Sequence, residues 1–397
     1  MAETSKIEWT DATWNPITGC TIVSEGCRNC YAARLAATRL KDHPSRAGLA
    51  RVNAAGEAKF TGAVRLNQDW LDQPLRWKRS RRIFVCAHGD LFHEGVADEW
   101  IDRIFAVMAL AHWHTFQVLT KRPERMRAYM NTAAGRIADT IIGLRRERGD
   151  TGCVVPLPHI SPGAPWWPLP NVWLGVSVED QATADERIPP LLDTPAAIRF
   201  VSAEPLLGEI DLERVLWFAG AYSDGEHRVD VLRKGYWNTE GYRFGSPSAK
   251  LGAPKGCFTN HSDMPARLDW VIVGGESGPG ARPIHPDWAR SLRDQCKAAG
   301  VAFHFKQWGE WLPFSQCRTS EQREAVSQTT IRSNKTGDGS QTYFGRALAR
   351  HADGHLVTAT TPGIRPEQIN RVGKARAGRL LDGVTHEGFP ESSGGRR

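Results

Sequence analysis

Short apolar runs recur along the chain, each ending in polar residues or glycine and several followed by a stretch with helical periodicity. Ile83–Cys86 (IFVC) runs into Ala87-His88-Gly89-Asp90, and Asp98–Leu110 then reads as an amphipathic helix with Asp98 as its cap. Thr115–Leu119 is followed by Thr120-Lys121-Arg122, and Pro123 opens a helix at its first position. Val172–Val176 leads into Ser177-Val178-Glu179-Asp180, and Ile198–Val201 into Ser202-Ala203-Glu204-Pro205. Trp270–Val273 ends at Gly274-Gly275-Glu276-Ser277, His285–Ala299 is helical, and Val301–Phe305 ends at Lys306-Gln307-Trp308-Gly309. A weaker first strand lies around Ala12–Ile17.

Buried strands alternating with helices pair in parallel through right-handed crossovers. The predicted fold is therefore α/β, a partial (β/α)6-type or full TIM-like barrel of parallel strands, over residues 1–312. Insertions are expected at about 41–82, 131–171 and 209–267. Residues 313–397 read as a C-terminal extension, partly flexible, with a basic patch at Arg371–Arg379 and a Gly/Arg tail expected to fray. Such folds place ligands at the C-terminal ends of their strands, where the polar residues named above gather.

Composition narrows the classes. Among 397 residues, 41% are apolar and 24% charged, which excludes wholesale disorder. No apolar run reaches the ~18 residues of a membrane span and Met1–Lys6 is polar, so a cytoplasmic chain with no membrane partner, monomeric or weakly dimeric, is expected. The net charge of +7 is compatible with DNA or RNA as a partner without demanding it. The basic run Arg76–Arg82 and the Trp content point the same way.

The eight cysteines are too unevenly spaced for a disulfide framework. Cys20, Cys27 and Cys30 form a C-x6-C-x2-C cluster between the first strand and a helix predicted over Tyr31–Leu40. Structural zinc closes its shell with four protein ligands, whereas a four-iron–four-sulfur cluster held by three cysteines keeps one iron open. Two other readings stay open: three small core residues, or a zinc site completed by Cys86, His88 or His93.

The chain also resembles a radical S-adenosylmethionine (SAM) enzyme, and more closely the phage-borne three-cysteine-motif family of phages, prophages and bacterial genomes. The stretches that carry the resemblance are NPITGC…GCRNCYA, FTGAVRLNQDWLDQPLRWKRSRRIFV, GDLFHEGVADEWIDRIFAVM, FQVLTKRPERM, VWLGVSVEDQ, FVSAEPLLG, DWVIVGGESGPGARP, FKQWGEW and RVGKARAGRLLDG. The common radical-SAM pattern has a shorter first gap and an aromatic residue just before the third cysteine. Here Asn29 holds that place and Tyr31 follows.

The resemblance implies a 4Fe–4S cluster on Cys20, Cys27 and Cys30, SAM as cosubstrate, reductive cleavage to a 5′-deoxyadenosyl radical, and a flavodoxin- or ferredoxin-like electron donor. It implies SAM contacts after the other strands: Asp90 for the ammonium group, Ser177 and Glu179 for ribose or carboxylate, Glu204, and the loop Gly274-Gly275-Glu276. Each has a plainer role: a loop cap at Asp90, a helix start at Glu179, turns at Glu204 and the glycines. Lys121, Arg122, Arg282, Lys306 and Trp308 would line the mouth, suited to an anionic substrate or a base stacked on indole. The expected substrate is a nucleic acid or nucleotide, modified or repaired. Outside that class stand a non-catalytic zinc-stabilised nucleic-acid-binding module and an iron–sulfur redox sensor.

Overall fold

The computed structural model describes residues 4–149, 166–219, 226–233, 235–237, 266–333, 347–350 and 367–391. Seven strands form one sheet whose order follows the chain: β1 (Ala12–Trp14), β2 (Arg82–Val85), β3 (Thr115–Thr120), β4 (Val172–Ser177), β5 (Ile198–Ala203), β6 (Trp270–Gly274) and β7 (Ala302–Gln307). Helices follow the strands: α1 (Tyr31–Ala37), α2 (Asp98–Leu110), α3 (Pro123–Thr132) with α4 (Ala134–Glu147) directly after it, α5 (Gln181–Leu192) and α6 (Pro286–Ala299). Parallel ladders join β1 to β2, β2 to β3, β3 to β4, and β6 to β7. This is the topology of a partial (β/α) barrel.

The strands read as continuous apolar runs because helices and loops cover both faces of such a sheet. All six residues of β4 and all five of β6 are buried. The chain divides into two compact units, residues 1–177, 187–201 and 390–397 in the first and residues 178–186 and 202–389 in the second.

In the first unit α2 turns Ile101, Ile104, Phe105 and Met108 inward, a stripe at helical spacing, and packs against α4. Asp98 is not the cap that the sequence suggested. Ala97 holds the N-cap position, and Asp98 sits in the first turn with its carboxylate 3.0 Å from Arg125 Nη2. The expected insertion at 131–171 begins instead with α4, which buries Ile137, Ile141 and Leu144; the run PLPHISPGAPWW lies largely outside the described residues. Part of the insertion at 41–82 forms a hairpin, Ala50–Val52 against Ala58–Phe60.

In the second unit α6 buries Trp288, Ala289, Leu292 and Cys296 and ends at Gly300, whose φ of 65° is the left-handed conformation that glycine adopts freely. His285 caps its start, accepting from the Asp287 N–H at 3.2 Å. The insertion at 209–267 contains an antiparallel sheet of Val215–Ala219, Glu226–Asp230 and Gly235–Trp237. The C-terminal extension is folded where described: Trp311–Pro313, Glu367–Arg371 and Ala347–Arg350 form a three-stranded sheet. After a turn closed by Leu381 and Val384, residues 386–388 lie antiparallel along β7, with Phe305 N–H donating to His386 O at 3.0 Å and Gly388 N–H to Phe303 O at 2.9 Å. That segment covers an otherwise open strand edge.

Asp382 anchors it. Its carboxylate accepts from Arg290 at 2.8 Å, Arg293 at 2.6 Å and Gln316 at 2.8 Å, and its own N–H donates to Gln316 Oε1 at 2.7 Å. These bonds, Arg290's first, hold the carboxyl far below the usual range. A depressed carboxyl stabilises the fold above the unfolded value of about 3.9 and loses that contribution as pH falls toward its own lower value. Asp382→Asn is therefore expected to destabilise the protein by about 1–2 kcal/mol at neutral pH. The gap to wild type should begin to narrow below about pH 4 and keep narrowing as pH falls further in urea unfolding; a gap independent of pH would contradict the role of the charge.

Candidate functional site

The loop after β1 carries all three clustered cysteines. Ile17–Thr18 pairs with Arg65–Leu66, and Gly19 then bridges Gly89, its N–H donating to His88 O at 3.1 Å. Gly19 has φ of 98°, and a Cβ there would collide with the carbonyl oxygen of Ala63. Gly89 is as confined: a Cβ would lie 3.0 Å from Ile17 O and 3.1 Å from Gly19 O. Two glycines thus let the cysteine loop lie directly on the C-terminal end of β2. Cys27 ends a single 3-10 turn, Glu25–Cys27, and Cys30 is the N-cap residue of α1. The helix expected to Leu40 ends at Ala37.

The thiols lie in one another's electrostatic field, Cys20 feeling Cys30 and Cys30 feeling Cys27. Burial, with Asp90 adding to it, pushes Cys20 up to about 12. Burial also raises Cys30, against hydrogen bonds from the Ala33 and Ala32 backbone. At Cys27 burial acts upward too, but the Lys121 charge and backbone bonds from Val23 and Ser24 outweigh it, and the thiol falls below its ordinary value. Lys121 in turn is pushed down by burial to about 8, with Cys27 opposing. Among the described residues no three His, Cys, Asp or Glu side chains are placed to share one metal ion; a four-iron cluster takes one thiolate per iron and asks only that the thiols surround a common centre.

Asp90, after β2, is fully engaged. One carboxylate oxygen accepts from Thr120 Oγ1 at 2.7 Å and the Phe92 N–H at 3.0 Å; the other accepts from Arg122 Nη1 at 2.9 Å and the Lys121 N–H at 3.3 Å. The plainer reading of Asp90 as a loop anchor describes these contacts. Arg122, expected at an open mouth, is buried. Its Nε meets Glu94 at 2.8 Å, its Nη2 donates to Thr21 Oγ1, and its Nη1 also lies 3.6 Å from Cys20 Sγ. Glu94 and Thr21 were missed by the sequence reading, because a lone Glu or Thr in a loop carries no spacing signal, and Thr120, at the end of β3, was seen without its partner.

The three residues weighed as a fourth zinc ligand have other partners. His88 Nδ1 accepts from Arg46 Nε at 3.2 Å, and burial and that charge lower it to about 4. His93 faces Thr21 Oγ1 at 3.2 Å and the Gly95 N–H at 3.0 Å. Cys86 is buried and pushed up to about 12 by desolvation. Cys153 and Cys257 lie outside the described residues. Ser177, also in this unit, is buried, and its carbonyl accepts from Arg187 Nη1 at 2.7 Å.

The remaining candidates belong to the second unit, where their own neighbours occupy them. Glu179 is buried, and its carbonyl receives the Leu207 N–H at 2.8 Å. Glu204 pairs with Lys306 at 3.0 Å and accepts from Ser202 Oγ at 3.0 Å. Glu276 takes the Arg282 fork at 2.8 and 3.0 Å. Gly274 and Gly275 leave space for protein: a Cβ on Gly274 would stand 2.5 Å from Glu204 Oε1, and one on Gly275 would strike the Trp308 carbonyl. Trp308 is no exposed stacking platform, since it is buried against Phe305 at 4.8 Å and donates its indole N–H to Leu380 O at 2.8 Å.

The basic runs are also spoken for in part. Arg76–Arg82 leads into the first residue of β2 and so lies at the strand end away from the cysteines; there Arg82 pairs with Asp11 at 3.0 Å and Arg81 covers Trp77 at 5.0 Å. In the later run Arg371 donates to Gly278 O at 2.8 Å, and Arg376 and Arg379 pair with Glu321 and Glu387.

If Gly19 sets the place of the cysteine loop, Gly19→Ala should destabilise by about 1–3 kcal/mol. Gly48→Ala, with φ of 78° but nothing within 4 Å of the added carbon, should cost about 1 kcal/mol. Equal unfolding midpoints for the two variants would contradict the close approach at Gly19.

No helix among the described residues is long and apolar enough to cross a membrane. Neither curated proteins nor solved structures give a match. One family model does, described as a protein of unknown function (DUF5131), and it aligns with residues 4–390. With nearly the whole length matched, the chain belongs to the DUF5131 family.

Proposed function

We propose that this protein is a radical-SAM enzyme whose 4Fe–4S cluster is carried by Cys20, Cys27 and Cys30. The observation that carries the reading is the cysteine loop itself. It sits at the C-terminal end of β1, its three thiols lie in mutual electrostatic reach, and two cations stand beside them. Thiolates are the ligands such clusters require, and backbone N–H groups near the sulfurs are their usual second layer. A cluster held by these three cysteines would supply the one electron that cleaves a carbon–sulfur bond of SAM, giving methionine and a 5′-deoxyadenosyl radical able to take hydrogen from substrate.

The chain's own contribution is charge balance and placement. Three thiolates in a buried loop are costly without compensation; Lys121 offsets part of that cost at Cys27, and Arg122 places an N–H donor at Cys20. Asp90 acts through Arg122, since both its oxygens are already bonded. Gly19 and Gly89 keep the loop pressed on the strand ends. A flavodoxin- or ferredoxin-like protein is the electron donor in this reading. The substrate class we assign is nucleic acid or a nucleotide, modified or repaired; the net charge of +7 supports it. So do the exposed Arg28, Arg34, Arg39 and Lys41, on and after the cysteine loop.

Anaerobic reconstitution tests the reading. Wild type should take up about four irons per chain and form 5′-deoxyadenosine from SAM after reduction. Cys30→Ala should lose stable cluster loading, while Cys296→Ala, at a buried position in α6, should keep it. About one zinc with no iron after reconstitution, or equal iron in the two variants, would overturn the assignment.

A further inference from the structure

Arg122 follows β3 directly, and its guanidinium is gripped on every side. Nε lies 2.8 and 2.9 Å from the two oxygens of Glu94, Nη1 lies 2.9 Å from Asp90 Oδ2, and Nη2 donates to Thr21 Oγ1. Nη1 is left 3.6 Å from Cys20 Sγ. A planar fork held by two carboxylates and a hydroxyl cannot rotate away, so the N–H stays directed at that sulfur. The two carboxylates differ in setting. Asp90 is buried, with 7% of its side chain exposed, whereas 67% of Glu94's is exposed. Asp90 therefore fixes the fork from inside the protein, and Glu94 partly neutralises it from the solvent side.

A positive charge and an N–H donor at a ligating sulfur favour the cluster state that holds one more electron, because that state places more negative charge on the sulfurs. We infer that Arg122, held by Asp90 and Glu94, is a positioning residue that raises the reduction potential of the cluster by donating to the Cys20 sulfur. The inference rests on the cluster assigned above. Its sign is fixed by electrostatics: removing the guanidinium leaves two carboxylates beside the sulfur and makes reduction harder. Removing the Glu94 charge leaves the guanidinium less neutralised and makes reduction easier. Part of the Glu94 effect acts through solvent and should shrink as salt is added.

The test is a potentiometric titration of the reconstituted protein at low ionic strength, with the reduced cluster followed by electron paramagnetic resonance. Arg122→Gln should titrate at a more negative midpoint than wild type and Glu94→Gln at a more positive one, the second shift diminishing with salt. A purely structural role for Arg122 would lower thermal stability and iron content without moving the midpoint of the clusters that do form. If Arg122→Gln does not fold or load, the exposed Glu94→Gln decides alone, and a midpoint equal to wild type overturns the inference. Failure of the cluster assignment is distinguishable beforehand, because wild type would then hold no iron to titrate.

Discussion

A buried guanidinium must be matched by buried negative charge, and in this protein the match ties three separate segments together. Arg122 comes from the end of β3, Asp90 from the loop after β2, and Thr21 with Cys20 from the loop after β1. Burial works against the arginine's charge, yet Asp90 and Glu94 outweigh it and hold it protonated. Breaking one side of such a pair leaves an uncompensated charge in the interior, typically a loss of about 3–5 kcal/mol. The arrangement of the cysteine loop thus depends on this ion pair as much as on the two glycines beneath it.

In the second unit the polar strand ends meet one another. Glu204 meets Lys306, Glu276 meets Arg282, and Gly274 and Gly275 make room for Glu204 and the Trp308 backbone. Each pair forms at the C-terminal ends of β5, β6 and β7 or in the loops that follow them. The cysteine loop is different. Lys121 lies beside Cys27 and lowers its thiol, and the Arg122 fork reaches Cys20 at 3.6 Å. A negatively charged thiolate-bound group would sit against both cations, which is why the proposed function is centred there.

Much of the fold was legible along the chain. Runs such as Val172–Ser177 and Trp270–Gly274 are apolar throughout because parallel strands are covered on both faces, and they stand out against polar ends. Helix α2 was marked by its apolar periodicity, although its cap was misplaced by one residue: Asp98 was drawn into an ion pair with Arg125. Less legible were α4, hidden by Arg and Gly within an expected insertion, and the strands at Trp311–Pro313 and Glu367–Arg371, which pair across a long separation in a polar stretch. In the site, residue types at strand ends were visible, including Lys121 and Arg122. Their partners were not, since no local pattern tells which carboxylate a cation will meet once the chain has folded.

The most direct measurement of the central claim is the electron paramagnetic resonance spectrum of the reduced, reconstituted protein before and after SAM is added. An iron left open by three-cysteine ligation predicts a cluster signal whose shape changes when SAM binds. A cluster signal that SAM leaves unaltered, or a protein with no cluster signal at all, would contradict the account.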